Sequence, residues 1–178
     1  MDAATALYAS AAVLLILAGA VKVSRPTTAA DLMQDLGAPA RGPLSGARLA
    51  VGLGAMEVVL GIAALVLELP ATAVAVGCLY LAFGLTVLRA MAVGAESCGC
   101  FGRIEAPPSW FHVAGNAVLA AAAFAAATAS SPIEVMDDQP AGGVGFVILV
   151  GVLAGLALIV FTALPEAMAA RKPNGAPS

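Results

Sequence analysis

The chain has 178 residues, of which 61% are hydrophobic and 11% are charged, and its formal net charge at pH 7 is −3. Soluble domains contain roughly 45–50% apolar and about 25% charged residues, so a soluble protein of this length could not bury so much apolar surface. We therefore expect the lipid bilayer to be its solvent. The acidic balance argues against nucleic acid as a partner, because nucleic-acid-binding surfaces are basic.

Five apolar runs each approach or exceed the ~20 residues that a helix needs to cross a bilayer. Helices are expected because lipid satisfies no backbone polar group. The first run has no basic residue before it and is longer than the ~7–15 apolar residues of a signal peptide, so we expect a retained helix. In chain order the runs cover residues 3–21, 49–67, 69–88, 110–128 and 141–164.

These runs predict an all-α integral membrane protein, a four-helix transmembrane bundle with a fifth, C-terminal transmembrane helix. The four-helix core takes residues 1–129 and includes a cysteine-containing loop at 94–109. The remainder divides into an acidic loop at 130–142, a transmembrane helix at 143–165 and a disordered tail at 166–178.

The connection between the first two runs contains a short predicted helix over residues 28–37. Thr27 or Thr28 could cap its start, and Gly37 could end it. Its apolar side chains share one face, so we expect it to lie on the membrane surface; they are Leu32, Met33 and Leu36.

The basic residues all fall on one side of a five-span topology. The positive-inside rule makes this side cytoplasmic, with the N-terminus outside, the C-terminus inside and the cysteine loop in or near the cytoplasm. Arg89 and Arg103 flank that loop, so chemistry rather than topology could have placed them. The eight residues are Lys22, Arg25, Arg41, Arg48, Arg89, Arg103, Arg171 and Lys172.

The strongest local signal for chemistry is Cys98-Gly99-Cys100 at the edge of a predicted span. A disulfide across a single residue is strained, and strained disulfides are readily reduced, which suits thiol–disulfide exchange. Arg89 and Arg103 could stabilise a thiolate, which raises its reactivity at neutral pH.

Two other interpretations of the cysteine pair stay open. The thiols could be reduced and inert, or they could bind a soft ion such as Cu(I), with His112 as a third ligand. His112 alone is more simply an interfacial residue with an ordinary hydrogen bond. Cys78, in the third run, is expected to pack as a small apolar residue.

Glu57 is unusual because a carboxylate inside a membrane helix is costly and normally faces the bundle or a wet cavity. Gly54 and Gly61 share its face and would let a neighbouring helix approach closely. Its candidate partners are Asn116, Tyr80 and Lys22, and its role could be structural hydrogen bonding, proton handling or partner contact. Asn116 is also a candidate for hydrogen-bonding between helices.

Small residues mark two further predicted packing seams. Gly77 and Gly84 flank Tyr80 on one face of the third run. Gly151 and Gly155 form a small-xxx-small pair in the last run. Both patterns are typical of close helix–helix contact in membranes.

Several motifs taken together resemble the MauE family, the methylamine-utilisation membrane proteins grouped with DoxX-like four-helix bundles. The resemblance covers roughly residues 3 to 128. It is carried by Ala18-Gly19-Ala20-Val21-Lys22, Glu57-Val58-Val59-Leu60-Gly61, Cys98-Gly99-Cys100-Phe101-Gly102, Trp110 and Asn116.

The resemblance implies an accessory role, working with a thioredoxin-like partner in the maturation of a disulfide-rich dehydrogenase subunit. It places Cys98 and Cys100 as the motif cysteines and Glu57 as the carboxylate of the second membrane helix. Two departures stand out: Gly115 precedes Asn116 where the family often has Arg, and the fifth helix lies beyond the family core. Disulfide maturation also needs an oxidising compartment, which conflicts with a cytoplasmic cysteine loop.

The leading hypothesis is a thiol–disulfide accessory of the bacterial plasma membrane that uses Cys98 and Cys100, supported by Glu57, Arg89, Arg103 and Asn116. Its partner would be a thioredoxin-fold protein or a membrane or secreted client. The alternatives are a non-enzymatic scaffold that docks a partner enzyme, and soft-metal or small-solute handling. The sequence assures no cofactor, and a quinone or a soft metal stays open.

Overall fold

The computed structural model describes residues 3–67, 69–95, 107–129, 131–138 and 143–170, with side chains described as far as residue 163. Within these ranges the secondary structure is entirely helical, which confirms the predicted all-α fold. The helices are α1 (Ala3–Ser24), α2 (Thr27–Asp35), α3 (Gly46–Val66), α4 (Pro70–Val93), α5 (Trp110–Ala126), α6 (Pro132–Asp137) and α7 (Val144–Ala170).

Four of these helices are long and apolar enough to cross a membrane: α1, α3, α4 and residues 144–163 of α7. The apolar helix α5 is shorter, with 17 residues, and spans about 26 Å at ~1.5 Å per residue against a hydrocarbon thickness of about 30 Å. The chain is therefore a multi-pass membrane protein, and each predicted apolar run corresponds to one of these helices.

Helix α1 lies at the centre of the bundle. In its most apolar stretch 61% of the residues are buried by other helices, against 28% in α3 and α4 and 22% in α7. It contacts α3 most extensively and also packs on α5 and α7. Its own residues are apolar on all sides, which suits a helix surrounded by other helices or by lipid.

The contact between α1 and α3 depends on glycines that let the two backbones approach closely. A Cβ atom at Gly54 would lie 2.7 Å from the carbonyl oxygen of Gly19, and one at Gly61 would lie 2.7 Å from that of Ala12. Such distances leave no room for a side chain, so the predicted small-residue face of α3 is confirmed.

The predicted seam on α4 is also confirmed. Gly77 makes room for the ring of Phe124 on α5, with 2.7 Å from the glycine's Cβ position to Cε1 of the ring. Tyr80 is buried and donates a hydrogen bond of 2.7 Å to the Ala11 carbonyl oxygen.

Two predictions are wrong: the packing seam at Gly151 and Gly155, and the packing of Cys78 inside the bundle. No atom of the described residues lies within 4 Å of a Cβ position at Gly151 or Gly155, so these glycines form no seam within the described fold. Cys78 is exposed on the outer face of α4, rather than packed between helices. The two glycines and Cys78 therefore lie on outer helix faces, where an apolar or small surface can contact lipid.

Helix α2 closes one end of the bundle. Its predicted threonine cap is wrong: Pro26 occupies the N-cap position and no side chain caps the helix. Gly37 follows the end of the helix with a φ of 103°, as predicted. Leu32 is buried, and the helix packs on α3 and α4, so its apolar face meets protein.

A helix that the sequence analysis did not predict, α6, lies inside the acidic segment. Glu134 N–H donates to Ser131 Oγ at 3.1 Å, and Ser131 N–H donates to Glu134 Oε2 at 2.8 Å. This reciprocal capping box, with Pro132 as the first helical residue, starts a helix efficiently. Beyond it, α7 continues to Ala170, past the predicted end of the last span.

The helices alternate in direction, so the bundle has two distinct ends. We call one the Lys22 end; it contains the end of α1, all of α2, the start of α3, the end of α4 and the start of α5. Residues 96–106, which contain both motif cysteines, lie outside the described residues. Their neighbours, Ala95 and Pro107, follow α4 and precede α5, which places both at the Lys22 end.

Replacing Gly54 by leucine should destabilise the protein, because the new side chain meets the α1 backbone. Overpacking of this kind costs about 1–3 kcal/mol, which should lower the thermal unfolding midpoint in nanodiscs. The matched control is Gly52→Leu, two residues away on the exposed face, where nothing lies within 4 Å. Equal midpoints for the two variants would contradict the close α1–α3 approach.

Candidate functional site

The most unusual feature of the bundle is an ion pair inside the membrane-spanning region. Lys22 Nζ donates to Glu57 Oε2 at 2.9 Å, and the side chains are only 6% and 0% exposed. Of the three partners predicted for Glu57, the structure selects Lys22. The pair joins the end of α1 to the middle of α3.

The close backbone contact described above determines the position of this pair. A Cβ atom at Gly19 would lie 2.9 Å from the Cβ of Glu57, and one at Gly54 would lie 2.8 Å from the Cβ of Lys22. Each charged residue therefore lies opposite a glycine of the other helix. The ammonium also lies 5.6 Å from the ring centre of Phe83 on α4, a distance suited to a cation–π contact.

The hydrogen-bonding capacity of the pair is not exhausted. Glu57 Oε1 is buried and has no hydrogen-bond partner among the described residues. An ammonium has three N–H donors, and within the described part of the chain Lys22 uses one of them, on Glu57. Leaving a buried polar atom unpaired costs about 1–3 kcal/mol. The pair is therefore a candidate site for hydrogen bonding to a further group.

Two cavities meet at Lys22, the basic member of the ion pair. A small one of about 30 Å³, the space of a single water molecule, lies between α1, α4, α5 and α7. A larger one of about 250 Å³ lies beneath α2. Lys22 and Phe83 line both cavities, so these two side chains form the partition between them.

Asn116 and Tyr80 line the small cavity together with Lys22, whereas Glu57 is not among its lining residues. Asn116 Nδ2 donates to the His112 carbonyl oxygen at 2.7 Å, within its own helix. In the described residues it therefore makes no hydrogen bond between helices, contrary to the prediction. Its Cβ packs opposite Gly84 of α4.

His112 connects α5 to α7 and is buried, with only 3% of the residue exposed. Its Nε2 lies 2.8 Å from the Phe161 carbonyl oxygen, and its Nδ1 lies 2.9 Å from Ser109 Oγ. A carbonyl oxygen only accepts, so we assign the proton to Nε2, and Nδ1 accepts from the serine hydroxyl. The imidazole also stacks on the Phe161 ring at 5.7 Å between centroids.

Gly115 gives the Phe161 ring its place against α5. A Cβ atom at Gly115 would lie 2.5 Å from Cζ of that ring, so any larger side chain here collides with α7. The glycine at this position is therefore required by the packing of α7 on the core.

The predicted metal alternative gains no support from His112, because both ring nitrogens already make hydrogen bonds. Across the described residues, no group of three or more His, Cys, Asp or Glu side chains could hold a metal ion. Cys98 and Cys100 lie outside the described residues, as does Arg103. Arg89 is exposed on α4, about one turn before its end.

From the sequence, Lys22 is predicted as a loop charge and as only one of three possible partners for Glu57. A signal was present: Lys22 continues an apolar run directly after Ala18-Gly19-Ala20-Val21, and a buried carboxylate requires a counter-charge. Phe83 and Phe161 were missed, because nothing local distinguishes a phenylalanine beside a cation from one in an ordinary core.

The fold and the site define a multi-pass, all-α membrane protein with a charged pair buried between its first two long helices. The profile of the family described as "Methylamine utilisation protein MauE" matches residues 2–129. The chain belongs to the MauE family, and an accessory role is consistent with that membership. No significant match exists among curated proteins or solved structures.

The matched region contains α1 to α5 and ends before α6 and α7. All the residues of the ion pair, and Phe83 beside it, therefore belong to the family region. Phe161, which closes the small cavity, belongs to the additional helix.

Lys22→Met and Glu57→Gln should each be strongly destabilising, because each leaves the partner's charge buried alone. Removing one member of a buried pair costs about 3–5 kcal/mol. The double variant Lys22→Met/Glu57→Gln should recover most of this loss, since neither charge remains. A thermodynamic cycle of unfolding free energies measures the coupling, and additive effects would rule out a direct pair.

Gly115→Leu should loosen α7 from the core, because the leucine occupies the space of the Phe161 ring. We expect faster hydrogen exchange in α7 around Phe161 while α1 and α3 retain their protection. The control is Gly155→Leu, on the open side of α7, which should leave exchange unchanged. Unchanged exchange in Gly115→Leu would be incompatible with this packing.

Proposed function

We propose that this protein is a thiol–disulfide accessory of the bacterial plasma membrane. Cys98 and Cys100 would exchange with a thioredoxin-fold partner during maturation of a membrane or secreted client. The observation that carries the proposal is topological: the Cys-Gly-Cys segment connects α4 to α5 at the end of the bundle that holds the Lys22–Glu57 pair. Membership of the MauE family supports it.

The proposed chemistry is disulfide exchange. A thiolate of the partner's dithiol attacks the Cys98–Cys100 disulfide, forms a mixed disulfide and releases one cysteine as a thiolate. The partner's second thiolate then breaks the mixed disulfide. Two electrons have passed to the cysteine pair, which becomes a dithiol, while the partner becomes a disulfide; the reverse sequence runs by the same steps.

Basic side chains near the segment would favour the thiolate that this exchange requires. Arg89 lies on α4 about one turn before the end of that helix, nine residues before Cys98, and its side chain is exposed. Arg103 is three residues beyond Cys100. Glu96 and Glu105 would act in the opposite sense, so the balance of charges sets the reactivity.

We further propose that the N-terminus lies outside and the C-terminus inside. Lys22 is buried in an ion pair and so carries no weight as a loop charge. The other seven basic residues still fall on one side of a five-span topology, which the positive-inside rule makes cytoplasmic. On this orientation the cysteine pair would exchange electrons with cytoplasmic thiols.

Trapping of mixed disulfides tests the exchange. With Cys98→Ser or Cys100→Ser, the remaining cysteine can still attack a disulfide of the partner, and the mixed disulfide should accumulate because the second cysteine that would release it in the reverse sequence is gone. Acid quenching, alkylation and non-reducing electrophoresis with mass spectrometry would detect the adduct. The double variant should give none, and Cys78→Ser, changed on the outer face of α4, should behave as wild type. No adduct with either single variant would refute the exchange.

The same cysteines report the orientation. A membrane-impermeant thiol reagent should label them only in lysed spheroplasts if the segment faces the cytoplasm. Labelling of intact spheroplasts after reduction would place a disulfide outside and overturn the charge-based orientation without affecting the exchange itself.

A non-enzymatic scaffold is the second candidate, and the outer face of α7 favours it. Large apolar side chains there are more than half exposed, including Val147, Ile148 and Ile159, and this helix lies beyond the family match. A scaffold would keep client maturation in Cys98→Ser/Cys100→Ser and lose it in Gly61→Leu, which separates α1 from α3.

A further inference from the structure

The cavity beneath α2 has the features of a binding site for a small lipophilic molecule. Its volume is about 250 Å³, and it lies between α2, α3 and α4. Its walls are apolar apart from Lys22 and Thr86, and the Thr86 hydroxyl donates within its own helix, to the Ala82 carbonyl oxygen at 2.9 Å. Pockets of this kind are mostly apolar with a few polar groups that fix the ligand's orientation.

The cavity has a closed side and an open side. Ala29, Leu32 and Val87 are buried on its inner walls. Ala82 on α4 is exposed, and Leu79 and Thr86 beside it are partly exposed. Because α4 spans the membrane, this open side faces the region occupied by lipid, and a ligand could enter from the bilayer without crossing water.

Lys22 supplies the polar group of the cavity wall. Only 5% of the residue is exposed, and in the described residues its ammonium donates one of three N–H bonds, to Glu57. The remaining donors are available to an acceptor on a bound molecule. An acceptor here would satisfy donors that are otherwise buried at a cost.

The charge balance at the site selects a neutral acceptor. Glu57 already neutralises the ammonium, so a bound carboxylate or phosphate would leave one net negative charge in an apolar enclosure, which is expensive. A bound cation would face the ammonium and be repelled. A carbonyl oxygen accepts a hydrogen bond without adding charge.

We propose that this cavity binds a neutral, lipid-soluble molecule with a carbonyl head group on an apolar chain, and that Lys22 donates to the carbonyl oxygen. Two sources share this chemistry, a membrane quinone and an acyl ester lipid. The proposal concerns binding alone and does not depend on the thiol exchange proposed above, since it involves no residue of the cysteine segment.

The test measures binding of three probes with a ten-carbon chain to the full-length protein in nanodiscs. The probes are decylubiquinone, monodecanoylglycerol and decanoate, each assayed by equilibrium dialysis. Saturable binding of at least one carbonyl probe is expected, with decanoate at pH 8 weaker by about tenfold or more, the equivalent of ~1.4 kcal/mol. The preferred probe identifies the source as quinone or ester.

Ala82→Trp should abolish the binding or weaken it by about tenfold or more, because the indole occupies the open side of the cavity. The matched control is Ala75→Trp, two turns away on the same helix at another exposed position outside the cavity lining. It should bind as wild type. The double variant Lys22→Met/Glu57→Gln, which retains no buried charge, should bind about three- to tenfold more weakly through loss of one hydrogen bond.

Three results would overturn the proposal. They are the absence of saturable binding for both carbonyl probes, equal weakening by Ala82→Trp and Ala75→Trp, and decanoate binding as tightly as the carbonyl probes. Thermal unfolding of each variant in the same nanodiscs shows that a loss of binding reflects the cavity and not a loss of fold. These readouts need no client and no cysteine, so they are independent of the trapping experiment.

Discussion

The arrangement of the bundle depends on the contact between α1 and α3, where glycines bring two backbones together and two opposite charges are buried. A lysine and a glutamate inside a membrane can coexist only if each neutralises the other, because lipid offers neither water nor counter-ions. Lys22 reaches Glu57 at 2.9 Å because Gly19 and Gly54 hold the helices close in one register. A shift of α1 by one turn would leave both charges unpaired.

Such a pair is poor evidence for stability and better evidence for specificity. Taking two charges out of water costs several kcal/mol per ion, and a well-packed apolar pair is often at least as stable. Glu57 adds a further cost, since Oε1 has no partner in the described residues. We interpret the pair as fixing the register of α1 on α3 and presenting an ammonium to the two cavities that it separates.

Helix α7 follows the family region in the chain and contributes a side chain, Phe161, to the interior of the bundle. Phe161 stacks on His112, accepts its hydrogen bond and closes the small cavity beside Lys22. The space for that ring exists because residue 115 is glycine. The glycine at position 115 and the Phe161 ring of α7 are thus complementary parts of one packing contact. The outward face of α7 within residues 144–163 is apolar and exposed, which is suitable for lipid or for a partner helix.

By itself the sequence determined that this is a membrane protein, how many long helices it has and which face of α3 is packed. These properties follow from hydropathy and small-residue spacing, which are local. It also carried the capping box of α6, a signal that was present and overlooked. Only the tertiary structure decided which of three candidates pairs with Glu57, that His112 docks α7 and that Gly151 and Gly155 face outward. These outcomes depend on the rotation and register of whole helices, and a uniformly apolar helix such as α1 or α7 carries no periodic pattern that specifies its inward face.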